Sequence, residues 1–202
     1  MTKTTLFIHC LATPNDFMVG RPVEEVVAAV KRWHLDRGWK DIGYAEIGHR
    51  DGSSAGGRDL DNDGDYFEET GAHAQGFNVS GIGVALNGGK DSKRTDKFSD
   101  NYTEAQREWL WSVIDRVRAR YGDDIEIRGH NEVSSKACPG FNVQEFLREG
   151  RPKSKGKATP LAAVAVSGVV AASVVDQPLQ IQVAAVVAAL AVIGVIIWRM
   201  KK

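Results

Sequence analysis

The sequence predicts an α/β fold in which helices pack against a mixed central β-sheet. Short apolar runs typical of strands occur at 6–10, 42–50, 80–86 and 125–128. Two longer segments between these runs, 22–38 and 103–122, carry apolar residues at helical spacing. Strands and helices therefore alternate along the chain, which is typical of a sheet flanked by helices.

The first predicted strand and helix lie close to the start of the chain. Because neighbouring side chains of a strand point to opposite faces, His9 and Cys10 separate: if His9 faces a site, Cys10 faces the core. Pro22 suits the first turn of a helix. The apolar positions that follow it, up to Gly38, are Val23, Val26, Val27, Val30 and Trp33.

The middle of the chain is predicted to hold two strands. The run 42–50 contains Tyr44 and ends before Asp51 and Gly52, a dipeptide typical of hairpin turns. The run 80–86 is followed by the turn residues 87–89. Both strands should belong to the sheet that contains residues 6–10.

The second predicted helix has clear signals at both ends. Thr103 and Gln106 form a capping box, and Gly122 is the stop signal. The strand 125–128 then delivers His130 at its end, and 143–148 is predicted as a final short helix.

Charge and cysteine content narrow the classes of function. The 202 residues include 26 basic and 26 acidic residues, which argues against a nucleic-acid partner. The charge is uneven: residues 1–150 hold 19 basic and 25 acidic residues, whereas the remainder holds seven basic residues and one acidic residue. Two cysteines form no disulfide framework, so we expect synthesis in a reducing cytoplasm, with a Cys10 to Cys138 bridge as the minor alternative.

The composition changes after residue 150. We expect a domain at 1–150, a basic linker at 151–160 and a C-terminal membrane segment at 161–202. Uncharged runs at 161–175 and 179–198 suggest a two-helix hairpin, since about 20 residues of helix cross a bilayer. A buried helical hairpin is the alternative.

The flanking charges give an expectation for the location of the chain. Basic residues at both outer ends of the segment place these ends, and the body, on the cytoplasmic side of the host inner membrane. If only the second run spans, the body lies outside. A holin-like role for this tail is a further hypothesis.

The loop 129–140 is the strongest functional signal. It contains His130, Lys136 and Cys138, and His9 lies far upstream. Imidazole and thiolate are zinc ligands, and three of them without a closing local pair suit a catalytic site whose fourth position holds water. Spacing alone leaves open that His130 is an ordinary hydrogen-bonded histidine. Glu132 is a candidate partner for a ligand histidine.

Several ordered motifs between residues 4 and 147 resemble one family. They include residues 7–13, 33–34, 38–39, 42–44, 50–52, 71–78, 80–84 and the loop 129–140. This pattern is similar to that of the zinc amidases of the phage T7 lysozyme type, N-acetylmuramoyl-L-alanine amidases related to peptidoglycan recognition proteins. The resemblance implies a peptidoglycan recognition protein-like fold, to which the expected membrane tail would be an addition.

The resemblance also implies residue roles and a reaction. The zinc ligands fall on His9, His130 and Cys138, the catalytic residues on Tyr44 and Lys136, and the substrate-groove residues on His73 and Asn78. The implied reaction is hydrolysis of the amide between N-acetylmuramic acid and L-alanine in peptidoglycan. Ala45 and Leu11 depart from the family pattern and bear on substrate preference.

Two other functions and one other metal remain as alternatives. The chain could be a non-catalytic peptidoglycan-binding module, although Cys138, Tyr44 and Lys136 favour an enzyme. A regulator that binds phage RNA polymerase rests on the resemblance alone. The segment 59–65 resembles the start of a calcium loop, but Thr70 stands at its twelfth position, so a solvated acidic loop is the favoured interpretation.

Overall fold

A five-stranded sheet forms the centre of the computed structural model, which describes residues 2–151. In chain order the described elements are β1 (Thr5–Cys10), α1 (Val23–Leu35), β2 (Glu46–Gly48), β3 (Ser54–Gly56), β4 (Gly81–Leu86), α2 (Phe98–Asn101), α3 (Glu104–Tyr121), β5 (Glu126–Gly129), a 3₁₀ turn (His130–Glu132) and α4 (Val143–Glu149). The predicted mixed α/β fold is confirmed.

The strand order is β3-β2-β4-β1-β5. β1 pairs in parallel with β4 and β5, β2 pairs in parallel with β4, and β3 is antiparallel to β2. The carboxyl ends of β1, β4 and β5 therefore share one edge of the sheet. Loops that follow strands at such an edge commonly carry functional residues.

Helices cover both faces of this sheet. Successive residues of β4 alternate between two apolar clusters: Val84 packs with α3, and Ala85 packs with α1. All six residues of β1 are buried, as expected for a strand covered on both sides. β1 is thus a rigid support for the side chains at its end.

The two long predicted helices are confirmed, with a shift at one boundary. Thr103 Oγ1 accepts the backbone N–H of Gln106 at 3.1 Å, and the Gln106 side chain accepts the backbone N–H of Thr103 at 3.2 Å. α3 ends before Gly122, as predicted. α1 ends earlier than expected, at Leu35, and Gly38 adopts a positive φ of 79° in the turn that follows.

The predicted strand 42–50 is much shorter in the structure. Only Glu46–Gly48 forms β2; before it, the backbone N–H of Gly43 donates to His34 Nδ1 at 3.0 Å and not to a neighbouring strand. β3 was not predicted, since its three residues show no alternating pattern and form a strand by pairing with β2. The four-residue α2 was not predicted either.

The expected membrane segment is not part of the described region. Apart from Arg151, the predicted linker 151–160 and the segment 161–202, with its expected helix at 179–198, lie outside residues 2–151. Among the described residues, no helix has the length and apolar character needed to cross a membrane. The longest, the 18-residue α3, carries charges such as Arg107, Asp115 and Arg118 along its length. The expected location at the inner membrane is therefore withdrawn.

Candidate metal centre and groove

Three candidate metal ligands meet at the shared strand edge. In the register of β1 and β5, Ile8 lies beside Gly129, so His9 and His130 follow side by side. The loop after β5 returns Cys138 to the same point, where its Sγ accepts the backbone N–H of Cys10 at 3.2 Å. The ligand atoms of His9, His130 and Cys138 all lie within 4.8 Å of one another. The structure thus brings together the three ligands that the sequence predicted.

The loop that carries Cys138 is held by hydrogen bonds to its backbone. Asn131 Nδ2 donates to the carbonyls of Phe141 at 3.2 Å and Ala137 at 3.4 Å. Arg94 donates to the carbonyls of Asn131 and Ser134. These contacts fix the loop between His130 and Cys138 before any ligand binds. Neither Arg94 nor Asn131 was predicted, because their contacts depend on how the loop folds.

The ring nitrogens of this site are suited to ligation. Burial lowers the pKa of His9 well below its usual value, with smaller contributions from His73, His130 and Lys136. Burial, followed by the charge of Lys136, also lowers the pKa of His130. Both imidazoles are therefore neutral at pH 7, and neutral imidazole is the form that binds a metal.

The thiol of Cys138 needs an additional positive charge nearby in order to lose its proton. Its contact with Cys10 and its burial raise its pKa well above the usual value, while the Cys10 N–H and the Lys136 charge act in the opposite direction. A coordinated metal ion deprotonates a thiol outright. Both cysteines are free thiols, so the alternative of a Cys10 to Cys138 bridge is not what the structure contains.

The donor set and its spacing fit zinc. His9 Nδ1 lies 3.7 Å from Cys138 Sγ. In a tetrahedral zinc site with usual bond lengths, a nitrogen and a sulfur ligand are about 3.6 Å apart. Two imidazoles and one thiolate suit zinc better than magnesium or calcium, which prefer oxygen ligands.

The two predicted catalytic residues both lie close to this cluster. Lys136 is exposed in the loop, and its charge acts on His9, His130 and Cys138. The Tyr44 ring packs beside that of His9, with centroids 5.3 Å apart. Burial, then the nearby cysteines, raises the pKa of Tyr44 above its usual value, so its hydroxyl stays protonated. Both residues offer hydrogen-bond donors close to the cluster.

A groove of about 610 Å³ opens beside the cluster. His130 and Lys136 line one part of it, and Trp39, His73 and Asn78 line another. Trp39 also packs against the buried His34, with ring centroids 4.5 Å apart. Although Trp39 belongs to one of the recognised sequence motifs, no role was predicted for it; its partial exposure at the groove is visible only in the structure.

The two predicted substrate-groove residues both lie at this groove, but they have structural contacts as well. Asn78 Oδ1 accepts the backbone N–H groups of His73 and Ala74, at 2.8 and 2.9 Å. His73 Nδ1 lies 3.1 Å from His9 Nε2. Asn78 therefore shapes the loop that carries His73, and His73 connects this loop to a candidate ligand.

Glu132 does not contact a ligand histidine in the way that the sequence suggested. Its Oε1 accepts the backbone N–H of Gly129 at 2.7 Å, and its carboxylate pairs with Arg128. Glu132 thus caps the 3₁₀ turn that contains His130. The side chain that contacts a ligand histidine is His73 instead.

Comparison with known proteins adds independent information. No family model matches the chain. The endolysin of Escherichia phage T7 is 38% identical over 141 residues, which cover 70% of this chain and 83% of the T7 protein. The match thus covers more than two thirds of both proteins.

Solved structures share the fold. The N-acetylmuramoyl-L-alanine amidase LysC from Clostridium intestinale matches with a TM-score of 0.55 at 22% identity, covering 76% of this chain and 88% of LysC. Drosophila PGRP-LB matches with a TM-score of 0.58 at 22% identity, covering 77% of this chain and 86% of that protein. Together with the sequence identity to the T7 protein, this shows that the chain belongs to the phage endolysin family.

Proposed function

We propose that this chain is a zinc-dependent peptidoglycan hydrolase that cleaves the amide bond between N-acetylmuramic acid and L-alanine. The observation that carries the proposal is the convergence of His9, His130 and Cys138 beside a groove that His130 lines. Membership of the endolysin family supports peptidoglycan as the substrate, and the name of the structural relative LysC supports amide cleavage.

His9, His130 and Cys138 are the residues that would hold the metal. A zinc ion with three protein ligands lowers the pKa of a bound water molecule to about 7 and polarises a carbonyl group. His9 lies on β1, His130 directly follows the adjacent β5, and Cys138 lies in a loop tied by Arg94 and Asn131, so these residues need little rearrangement to bind it.

Lys136 and Tyr44 would act on the substrate oxygen. Attack on the amide carbonyl places negative charge on its oxygen, and the ammonium of Lys136 and the neutral hydroxyl of Tyr44 can both donate hydrogen bonds to it. Removal of one such donor typically lowers the rate by about 10² to 10³. Because Lys136 is exposed at the groove and forms no ion pair within residues 2–151, we expect it to reach a bound substrate readily.

The groove would hold the polymer beside the cluster. Trp39 offers a partly exposed aromatic surface, and Gln75 and Ser134 offer polar side chains. His73 and Asn78 are proposed substrate contacts, although both lone pairs of Asn78 Oδ1 are used by backbone N–H groups, which leaves its Nδ2 for the substrate. This arrangement favours an extended, polar substrate.

No observation favours either alternative function. A binding module without catalysis would have no use for a converged ligand set with Lys136 next to it. The expected polymerase partner has no support in the described residues or in the names of the relatives. We therefore propose peptidoglycan as the partner.

Digestion of purified peptidoglycan tests the proposal. The protein is incubated with intact sacculi, and the soluble products are identified by mass spectrometry. We expect stem peptides with a free L-alanine amino group and glycan strands that keep their lactyl groups. Products cut within the glycan strand, or no soluble products under any metal condition, would contradict it.

A further inference from the structure

His73 contacts the candidate ligand His9 from the side opposite the metal centre. His9 uses its two ring nitrogens differently: Nδ1 faces Cys138 Sγ at 3.7 Å, and Nε2 faces His73 Nδ1 at 3.1 Å. The two rings are nearly perpendicular, with an interplanar angle of 77°. The second distance is that of a hydrogen bond between two ring nitrogens.

The tautomers of both histidines follow from this geometry if His9 binds a metal, a condition that rests on the proposed function. A ligating Nδ1 must offer its lone pair, so the proton of neutral His9 is on Nε2. This N–H can donate only to an unprotonated Nδ1 of His73. His73 therefore carries its own proton on Nε2, and the contact between the rings has one permitted direction.

The surroundings of His73 hold its ring in this position. A methyl group in place of the hydrogen of Gly83 would overlap the ring, and one on Gly71 would crowd its edge. Asn78 fixes the backbone of His73, and Phe7 packs against the ring with centroids 5.8 Å apart. Two glycines, one amide and one aromatic ring thus leave the imidazole little freedom to turn away from His9.

We propose that His73 is a positioning residue for the metal centre: by accepting the N–H of His9 Nε2 it fixes the His9 tautomer and orients Nδ1 toward the metal. Partners of this kind orient ligand histidines and raise their basicity, and their loss typically weakens metal binding by about 10- to 100-fold. The partner here is an imidazole that also lines the substrate groove. Metal affinity and substrate contact therefore converge on one side chain.

The test compares zinc affinities of full-length variants by competition with a chromogenic chelator. His73→Ala removes the acceptor, and we expect its zinc affinity to fall about 10- to 100-fold. His73→Asn keeps an acceptor oxygen near the position of Nδ1, and we expect it to recover most of the affinity. His49→Ala is the matched control, because His49 is also buried and bonded through Nδ1, but to Asn87. Its zinc affinity should match that of the wild type.

A second readout needs no variant. Nitrogen-15 spectra of the zinc-bound wild type should show the His9 proton on Nε2 and the His73 proton on Nε2. A His73 proton on Nδ1 would overturn the proposal even if His73→Ala failed to fold. Thermal melting of the zinc-free proteins separates a loss of affinity from a loss of fold.

The outcomes separate this proposal from the proposed function. If the wild type binds no zinc, the proposed function fails. If the wild type binds zinc and folded His73→Ala binds it equally well, only the positioning role fails. A substrate contact alone would raise KM and leave zinc affinity unchanged, whereas loss of positioning lowers zinc affinity in the absence of substrate.

Discussion

Two regions of this molecule gather potential metal ligands at similar distances, and they differ in almost everything else. The first is the cluster His9, His130 and Cys138; the second is the acidic loop, Asp59, Asp61 and Asp63. In both groups the ligand atoms lie within 4.8 Å of one another. Donor spacing therefore does not tell a binding site from a solvated loop.

Neighbouring groups hold the side chains of the cluster His9, His130 and Cys138 in place. His9 is only 1% exposed, its second nitrogen contacts His73, and Cys138 accepts a backbone N–H. His9 is far in sequence from the loop that carries His130 and Cys138, and the two parts meet because β1 and β5 are parallel neighbours. The atoms that face one another are thus left free to bind a ligand.

In the acidic loop, carboxylates accept backbone N–H groups of the same loop. Asp59 accepts the backbone N–H of Gly64 at 3.1 Å, and Asp63 accepts that of Asp65 at 2.7 Å. A hydrogen bond from Arg120 lowers the pKa of Asp65, whereas the charges of Asp63 and Asp65 raise the pKa of Glu68. A metal site differs from a solvated loop in having ligand atoms that neighbouring groups hold in place and that keep free lone pairs. Proximity of the ligand atoms alone is insufficient to identify a site.

The largest expected effect comes from removing a cluster ligand. Cys138→Ser replaces a thiolate by a poor zinc ligand, so we expect zinc binding to be lost and peptidoglycan hydrolysis to fall more than about 10³-fold. Metal content and the rate of muropeptide release measure this. Cys10→Ser is the comparison variant: it changes the neighbouring thiol and keeps the backbone N–H that Cys138 accepts, so we expect smaller losses. Equal losses of zinc and of activity in both variants would contradict a specific role of Cys138 as a metal ligand.

A smaller effect is expected for the lysine that the cluster does not need for binding. Lys136→Ala should lower the hydrolysis rate by about 10² to 10³ because it removes a donor to the developing oxyanion. Zinc affinity should not fall, since the change removes a positive charge beside the metal. Lys97→Ala removes an exposed positive charge from α2's N-cap and serves as the control. A variant of Lys136 with an unchanged rate would remove this residue from the mechanism.

The smallest effect is expected in the acidic loop. Millimolar calcium should shift the melting temperature of the wild type no more than it shifts that of Asp61→Asn, because Asp61 and Asp63 are solvated and the loop already satisfies its own backbone. Calorimetric titration gives a second readout. Calcium-dependent heat that disappears in Asp61→Asn would place a second metal site here and blur the contrast between the two regions.

Local sequence signals predicted most of the fold. The capping box of Thr103 and the apolar spacing of α1 and α3 depend on neighbours in sequence, so these helices were recognised. β3 depends on pairing with β2, and the late start of β2 accompanies a hydrogen bond from Gly43 to His34. Such features arise from tertiary contacts that no local pattern records.

The same limit applies to the candidate site. The five residues His9, His130, Cys138, Tyr44 and Lys136 could be named in advance because the family pattern marks them by position. The contact between His9 and His73 spans 64 positions and could not be inferred, and Glu132, which is close in sequence, proved to cap a turn. Residue type and the family pattern predicted the candidate ligands. The contacts that hold these side chains in place are visible only in the packed structure.

Removal and return of the metal tests the central claim most directly. The purified protein is assayed on sacculi as isolated, after treatment with a strong chelator, and after addition of zinc, with metal content measured at each stage. We expect about one zinc ion per chain in the protein as isolated. Amide cleavage should be lost when the metal is removed and should recover when zinc is added. Full cleavage by protein shown to hold no metal would contradict it.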